Sequence, residues 1–199
     1  MMKIYRRRID IMPDSKDSEV RRNEFVDAAE KLFQENGIVD TTISSIVKEM
    51  DVAKGLFYYY FKSKDDVIDA ISEKYNEVFR EMLNVAMDQD TYESRLKQYV
   101  HNSVLSFREL NNKLQGKNGE VDLTALSSRS IDDAKQEAIR ALQELLEEGN
   151  TIGELTITHA RYYANILVSG IVELISENEA TDDEIEFIVY DLIERAGKD

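Results

Sequence analysis

Apolar residues along this chain recur every three or four positions, and no useful stretch alternates every two. The first is the spacing of one helix face and the second that of a strand, so the pattern predicts helices and no sheet. From Glu19, the residues Phe25, Ala28, Ala29, Leu32 and Phe33 share a face, and Gly37 ends that helix as a left-handed cap. Asp40, Thr41 and Thr42 supply capping side chains for a second helix with Ile43, Ile46, Val47 and Met50 on one side. "DVA" interrupts, and residues 54–61 resume as a short helix. Ser63 with Asp66 fits the capping-box spacing and opens a long helix carrying Val67, Ile71, Tyr75, Val78, Phe79 and Met82.

That helix is predicted to end near residues 89–91, where Thr91 caps a fifth bearing Leu96, Tyr99, Val100, Ser103, Val104 and Phe107. "NNKLQGKNGEVD" reads as a loop from its glycine and asparagine content. Further helices are predicted over about 123–129, 131–148, 158–177 and 182–195, with "GNTIGEL" as a break. The expectation is an all-α chain of eight to ten helices. Residues 1–18 read as a polar arm, and its cluster Arg6, Arg7 and Arg8 has two readings, a minor-groove contact or a solvated tail.

Composition narrows the function. The 199 residues contain no cysteine, which removes disulfides and thiolate chemistry and fits a reducing cytoplasm. No apolar run approaches the roughly 20 residues that span a bilayer, and the basic start has no apolar stretch behind it, so neither a membrane nor a secretory route is expected. "GKNG" lacks P-loop spacing. His101 and His159 are single histidines far apart in sequence, so no metal or catalytic role is expected of them. No nucleophile–base pair, metal cluster or cofactor fingerprint stands out, so an enzyme is not expected and no cofactor is called for.

The net charge of −15 argues against nucleic-acid binding by bulk charge. The charge is uneven, however. Residues 1–74 carry 13 Lys and Arg against 15 Asp and Glu, whereas residues 75–199 carry 12 against 25. If nucleic acid binds, it binds the N-terminal third.

"KGLFYYYF", residues 54–61, carries the chemistry. At 100° per residue Phe57 and Phe61 face one way, toward a core. Gly55, Tyr58 and Tyr59 face the other way, Lys54 and Leu56 flank them, and Tyr60 lies on the border. An outward glycine permits close approach of another surface. Tyrosine offers a flat apolar ring that touches a thymine methyl and a hydroxyl that donates to phosphate. Lys64 stands at the start of the following helix, where main-chain N–H groups also favour phosphate. Two short helices, 42–50 and 54–61, joined by a three-residue turn form a helix-turn-helix arrangement.

The stretch "GIVDTTISSIVKEMDVAKGLFYYYFKSKDDVIDAI", residues 37–71, resembles the DNA-binding domain of the tetracycline-repressor-like (TetR) family of bacterial regulators. The shared marks are the glycine-ended first helix, the Thr-Thr pair, Ile46, Val52, Lys54-Gly55, the Tyr-x-Tyr-Phe of 58–61, and Ser63-Lys64. The resemblance covers residues 22–71, and beyond it the likeness is one of layout. Asp51 stands where the family usually has a turn glycine, Val47 where it has alanine, and Leu56 where a small or hydroxylated residue is common.

The resemblance implies a three-helix DNA-binding domain over 19–65 and a helical effector-binding and dimerisation domain over 66–199. It implies that Thr42 caps helix two and touches phosphate, and that Ser44 and Ser45 lie near the groove edge. Lys54, Gly55, Leu56 and Tyr59 then face bases, Tyr58 and Tyr60 anchor the DNA backbone, and Lys64 neutralises a phosphate. With no Arg, Asn or Gln on the third helix, part of the specificity falls to DNA shape. It further implies a homodimer on a pseudo-palindromic operator, with Ile166, Gly170, Ile171, Leu174, Ile188 and Leu192 at the interface. Phe79, Met82, Tyr99, Phe107 and Tyr162 become candidates to line a pocket for a small-molecule effector that releases the DNA. The competing reading is a helical dimeric adaptor or ligand-binding protein that has lost operator binding.

Overall fold

The computed structural model describes residues 15–115 and 121–197, and these form eight α-helices and no strand. The expectation for Arg6–Arg8 lies outside the described residues. In chain order the helices are α1 (Ser15–Asn36), α2 (Ile43–Glu49), α3 (Lys54–Tyr60), α4 (Lys64–Met87), α5 (Tyr92–Leu114), α6 (Thr124–Ile152), α7 (Ala160–Glu177) and α8 (Asp182–Ala196).

The caps explain most boundaries. Thr42 accepts from the Ser45 N–H at 3.1 Å, and the Ser45 hydroxyl accepts in return from the Thr42 N–H at 2.9 Å. Asp51 takes up a left-handed φ of 53° in the turn before α3 and does the work of the glycine it replaces. Ser63 caps α4 by accepting from the Asp66 N–H, and the Asp66 carboxylate reaches back to the Lys62 N–H at 2.8 Å. The bond from the Lys62 N–H, and after it one from the Ser63 hydroxyl at 2.9 Å, hold the Asp66 carboxyl below the ordinary aspartate pKa.

Three boundaries differ from the expectation. The helices over 123–129 and 131–148 are one helix, α6. Serine favours caps and turns when its hydroxyl competes for the backbone. Ser130 is instead fully buried, with its hydroxyl donating to that of Ser72 at 3.2 Å. The break at 149–155 comes late because its two glycines differ. Gly149 lies inside α6, and a Cβ there would stand 2.3 Å from the Tyr92 hydroxyl, so its task is close approach. Gly153, at φ 81°, is the residue that ends the helix. At the other end of the chain, α1 begins at Ser15, inside the expected arm.

One apolar core runs from Phe25 in α1 to Ile193 in α8. α4 is shared: it packs on α1 at the head of the molecule and on α5 and α6 in the bundle. The expected boundary at 65/66 therefore falls inside its first turn. Lys74 bonds Asp27 and Glu30 at 2.7 Å each, and the Tyr75 hydroxyl donates to Glu30 at 2.7 Å, fastening α1 to α4. α7 and α8 pack on the bundle but touch each other little within the chain. No described helix is long and apolar enough to cross a membrane.

Candidate nucleic-acid interface

α3 is held by rings. Phe57 is fully buried and meets Phe25 edge-on at 5.8 Å and Phe61 at 5.6 Å, while Phe25 also meets Tyr60 at 5.8 Å. Such pairs stabilise by about 0.5–1.5 kcal/mol beyond the area they bury. The Arg22 guanidinium lies 5.0 Å over the Phe61 ring, a contact that periodicity alone does not reveal. A seven-residue helix is too short to hold itself in water. This cluster fixes its position.

The outward face follows from that anchoring. Tyr58 is 51% exposed and Tyr59 60% exposed. Gly55 is exposed, with nothing within 4 Å of where a Cβ would be. Lys54 is exposed with its ammonium 6.0 Å from the Tyr58 ring, and Leu56 and Tyr60 are half-buried at the margins. Ser44 and Thr42 are exposed at the start of α2, and half-buried Ser45 spends its hydroxyl on the cap. Lys48, Lys54 and Lys62 are exposed and hold no ion pair with another described residue. The face is flat, aromatic and rimmed by ammonium groups, with backbone accessible at one glycine. That combination suits a surface of alternating apolar bases and anionic phosphates.

Lys64 makes contacts within the chain that the sequence did not reveal. It is half-buried, and its ammonium donates to the Ile38 carbonyl at 2.5 Å and the Thr41 carbonyl at 2.9 Å. Two of its three N–H groups are thus engaged by the α1–α2 loop. Lys62, fully outside, is the cation at that edge.

Only some of the pocket candidates come together. The Phe79 and Phe107 rings are in contact, 4.7 Å between centroids. Phe79 and Met82 line a cleft of only about 20 Å³ between α4 and α5. Tyr99 is fully buried, with its hydroxyl donating to the Ala138 carbonyl at 2.7 Å. Tyr162 is 67% exposed on the outer side of α7, away from the other four.

The interface candidates divide. Ile166, Ile188 and Leu192 are exposed, Leu174 is half-buried, and Gly170 has open space where a Cβ would be. Ile171, at 1% exposure, belongs to the core of its own chain, because it shares the inward side of α7 with Ala164, Leu167, Val168 and Ile175. Phe187, at 71% exposure, joins the outward face and was missed. It falls one position before Ile188, on a helix whose inner row is Ile185, Val189 and Ile193.

Fold and surface define the class: an all-helical protein with a helix-turn-helix head on a helical bundle. Residues 25–71 match the family model of the bacterial regulatory proteins of the tetR family, and the likeness to that family rests on this stretch. It is 37% identical over 90 residues to the HTH-type transcriptional regulator HbdR of Aromatoleum sp. (strain CIB), a match covering 45% of this chain and 34% of HbdR. The match thus spans about a third of that relative's length. Among solved structures, a TetR/AcrR-family regulator from Thermobifida fusca YX-ER1 superposes with a TM-score of 0.66 at 21% identity, covering 87% of this chain and 96% of that one. FadR of Bacillus subtilis, solved in complex with stearoyl-CoA, gives 0.61 at 20% identity over 86% and 96% of the two chains. At these identities the structural likeness speaks for the fold alone.

Proposed function

We propose that the protein is a dimeric DNA-binding transcriptional regulator, a repressor, that holds a pseudo-palindromic operator and is released from it by a small-molecule effector. The observation that carries this reading is the α3 face: Gly55, Tyr58 and Tyr59 outward on a helix whose other side is locked by Phe25, Phe57 and Phe61. Rigid support makes the face a reader of fixed geometry. Thr42, Ser44, Lys54, Leu56, Tyr60 and Lys62 complete it. A helix this short covers too few base pairs alone, so two copies related by a two-fold axis are needed.

The second copy is held through the outward face of α7 and α8, where Tyr162, Ile166, Phe187, Ile188 and Leu192 are exposed together. Gly170 supports the same reading, because mid-helix glycine costs about 1 kcal/mol against alanine and nothing among the described residues requires it. The effector site lies between α4 and α5 around Phe79, Met82 and Phe107. Its closure in this form makes opening the coupled event: an effector can enter only by separating the two helices, and α4 begins beside the DNA-reading head. FadR, with the same layout, is solved with stearoyl-CoA, which supports a ligand-holding bundle.

The test is selection from random duplex DNA with purified protein at moderate salt. An enriched two-fold motif with half-sites about one helical turn apart is the expected result. A pool with no enriched motif, from protein freed of bound small molecules by refolding, refutes the operator reading and leaves the dimeric adaptor in its place.

A further inference from the structure

The outward face of α7 and α8 is uneven along its length. At the start of α7 it dips into a shallow hollow of about 780 Å³, lined by His159, Arg161, Tyr162, Asn165 and Ile166. His159, at a left-handed φ of 65°, holds its ring 5.6 Å from that of Tyr162, so two flat rings stand together in the hollow. On α8 the shape is the reverse. Phe187 is the most exposed large apolar side chain of that helix.

Charge follows the same division. Arg161 is exposed beside the hollow and holds no ion pair with another described residue. Asp183 stands one turn before Phe187 on the same side of α8, and it too is exposed and unpaired among the described residues. The acids around it are already engaged. Asp182 accepts from Arg108, Glu184 caps Thr181, Glu186 meets His101 and Asp191 meets Arg195.

Within one chain the two unpaired charges stand at opposite ends of the face. α7 and α8 are joined by four residues (178–181), and helices joined so briefly run back along each other. At about 1.5 Å per residue, Asp183 then stands near the height of Ser176, and Phe187 near that of Val172. Arg161 lies in the first turn of α7, about 20 Å away along the helix.

A two-fold axis exchanges the ends. In such an interface each residue i that meets j of the other copy is answered by j meeting i. Gly170 has open space where a Cβ would be, so two copies of α7 can come closest there. An axis at Gly170, or one residue before it, carries the height of Val172 to that of Ile166–Val168. It carries the height of Ser176 to that of Tyr162–Ala164. The partner's Phe187 then faces the hollow, and the partner's Asp183 faces Arg161.

We propose that the two chains of the dimer interlock end for end. Phe187 of each seats in the other's hollow between His159, Tyr162 and Ile166, and Asp183 of each pairs with the other's Arg161. The inference rests on the dimer proposed above and adds its register. Ring against ring supplies most of the attraction. The exposed ion pair at the rim contributes little affinity and serves mainly to fix the register and the choice of partner. Because both ends must match at once, the lock selects a second copy of this chain over another apolar helix face.

The first experiment uses introduced thiols, which report without background because the chain has no cysteine. A disulfide needs Cα atoms about 4.4–6.8 Å apart. In the proposed register residues 166 and 187 of different chains come that close, whereas neither comes close to its own copy. Mild oxidation of mixed Ile166→Cys and Phe187→Cys chains, after subunit exchange, is expected to yield covalent dimer about tenfold faster or more than either variant alone. Phe187→Cys cross-linking alone as fast as the mixture would place Phe187 on the axis and overturn the register. A mixture that does not cross-link, although sedimentation shows it to be dimeric, also overturns the register and leaves the dimer standing. A native chain that sediments as a monomer removes the dimer reading, and the interlock with it.

The second experiment swaps charges. Arg161→Asp alone, or Asp183→Arg alone, places like charges at both ends of the interface, and the dimer dissociation constant is expected to rise about fivefold or more. When the two variants are mixed, opposite charges meet again at both ends. The mixture is expected to form heterodimers about as tight as the native pair. A mixture no tighter than the separate variants refutes the pairing of Arg161 with Asp183.

Discussion

The molecule exposes two apolar faces, and they differ in kind. On α3 the exposed rings are Tyr58 and Tyr59, each with a hydroxyl at its tip, beside Lys54 and a bare stretch of backbone at Gly55. On α7 and α8 the exposed groups include Ile166, Ile188, Leu192 and Phe187, which have no polar tip. A tyrosine-and-lysine surface gains from a partner that is part apolar and part anionic. An aliphatic surface gains only from another apolar surface. In the function proposed above, the first face meets nucleic acid and the second meets another copy of the chain.

The strongest way to break the comparison is to charge the aliphatic face. Ile166→Glu with Leu192→Glu is expected to yield monomers in sedimentation and to weaken binding to a two-half-site duplex by about 100-fold or more, through loss of the linked second contact. Dimers that survive the pair of glutamates would remove that face from the account. Next comes the other face. Tyr59→Ala with Lys54→Ala should lower DNA affinity about 10- to 100-fold and leave the dimer whole. Equal loss of dimer and DNA binding would show that the two faces do not divide the work.

Smaller effects test the scaffold between them. Tyr99→Phe removes the hydroxyl that bonds Ala138 in the core, and thermal unfolding should register about 1 kcal/mol, or a midpoint about 2–4 °C lower. DNA affinity measured well below that midpoint should not move. Asp66→Asn is the smallest. The Asp66 carboxyl is held below its usual pKa, so it stabilises the fold at pH above the ordinary aspartate value. That contribution is lost as pH falls through its depressed folded value. The variant should therefore be slightly less stable at neutral pH, and the gap should close in acid. A gap independent of pH would mean that the cap works by shape and not by charge.

The fold was legible where periodicity and caps agree. Phe25 through Phe33, Thr42, Ser63 and Thr91 fix where four helices lie, and each carries a local signal. The α3 face was legible for the same reason, because seven residues on a wheel separate Phe57 from Tyr58 and Tyr59 without help from the rest of the chain. What was hidden depends on distant partners. Ser130 looked like a break because its partner, Ser72, is 58 residues away. Gly149 looked like the start of a break because Tyr92 is remote in sequence. Lys64 looked like a free cation because the carbonyls of Ile38 and Thr41 come to it only in the folded chain. Ile171 and Ile166 look alike in a hydrophobic stripe, and only packing sends one inward and the other out.

The division of labour between the two faces meets its most direct test in sedimentation equilibrium of the native chain with the selected duplex and with a duplex carrying one half-site. The account predicts two chains on the full duplex, bound far more tightly than on the single half-site. One chain per duplex, with equal affinity for one half-site and two, would contradict it.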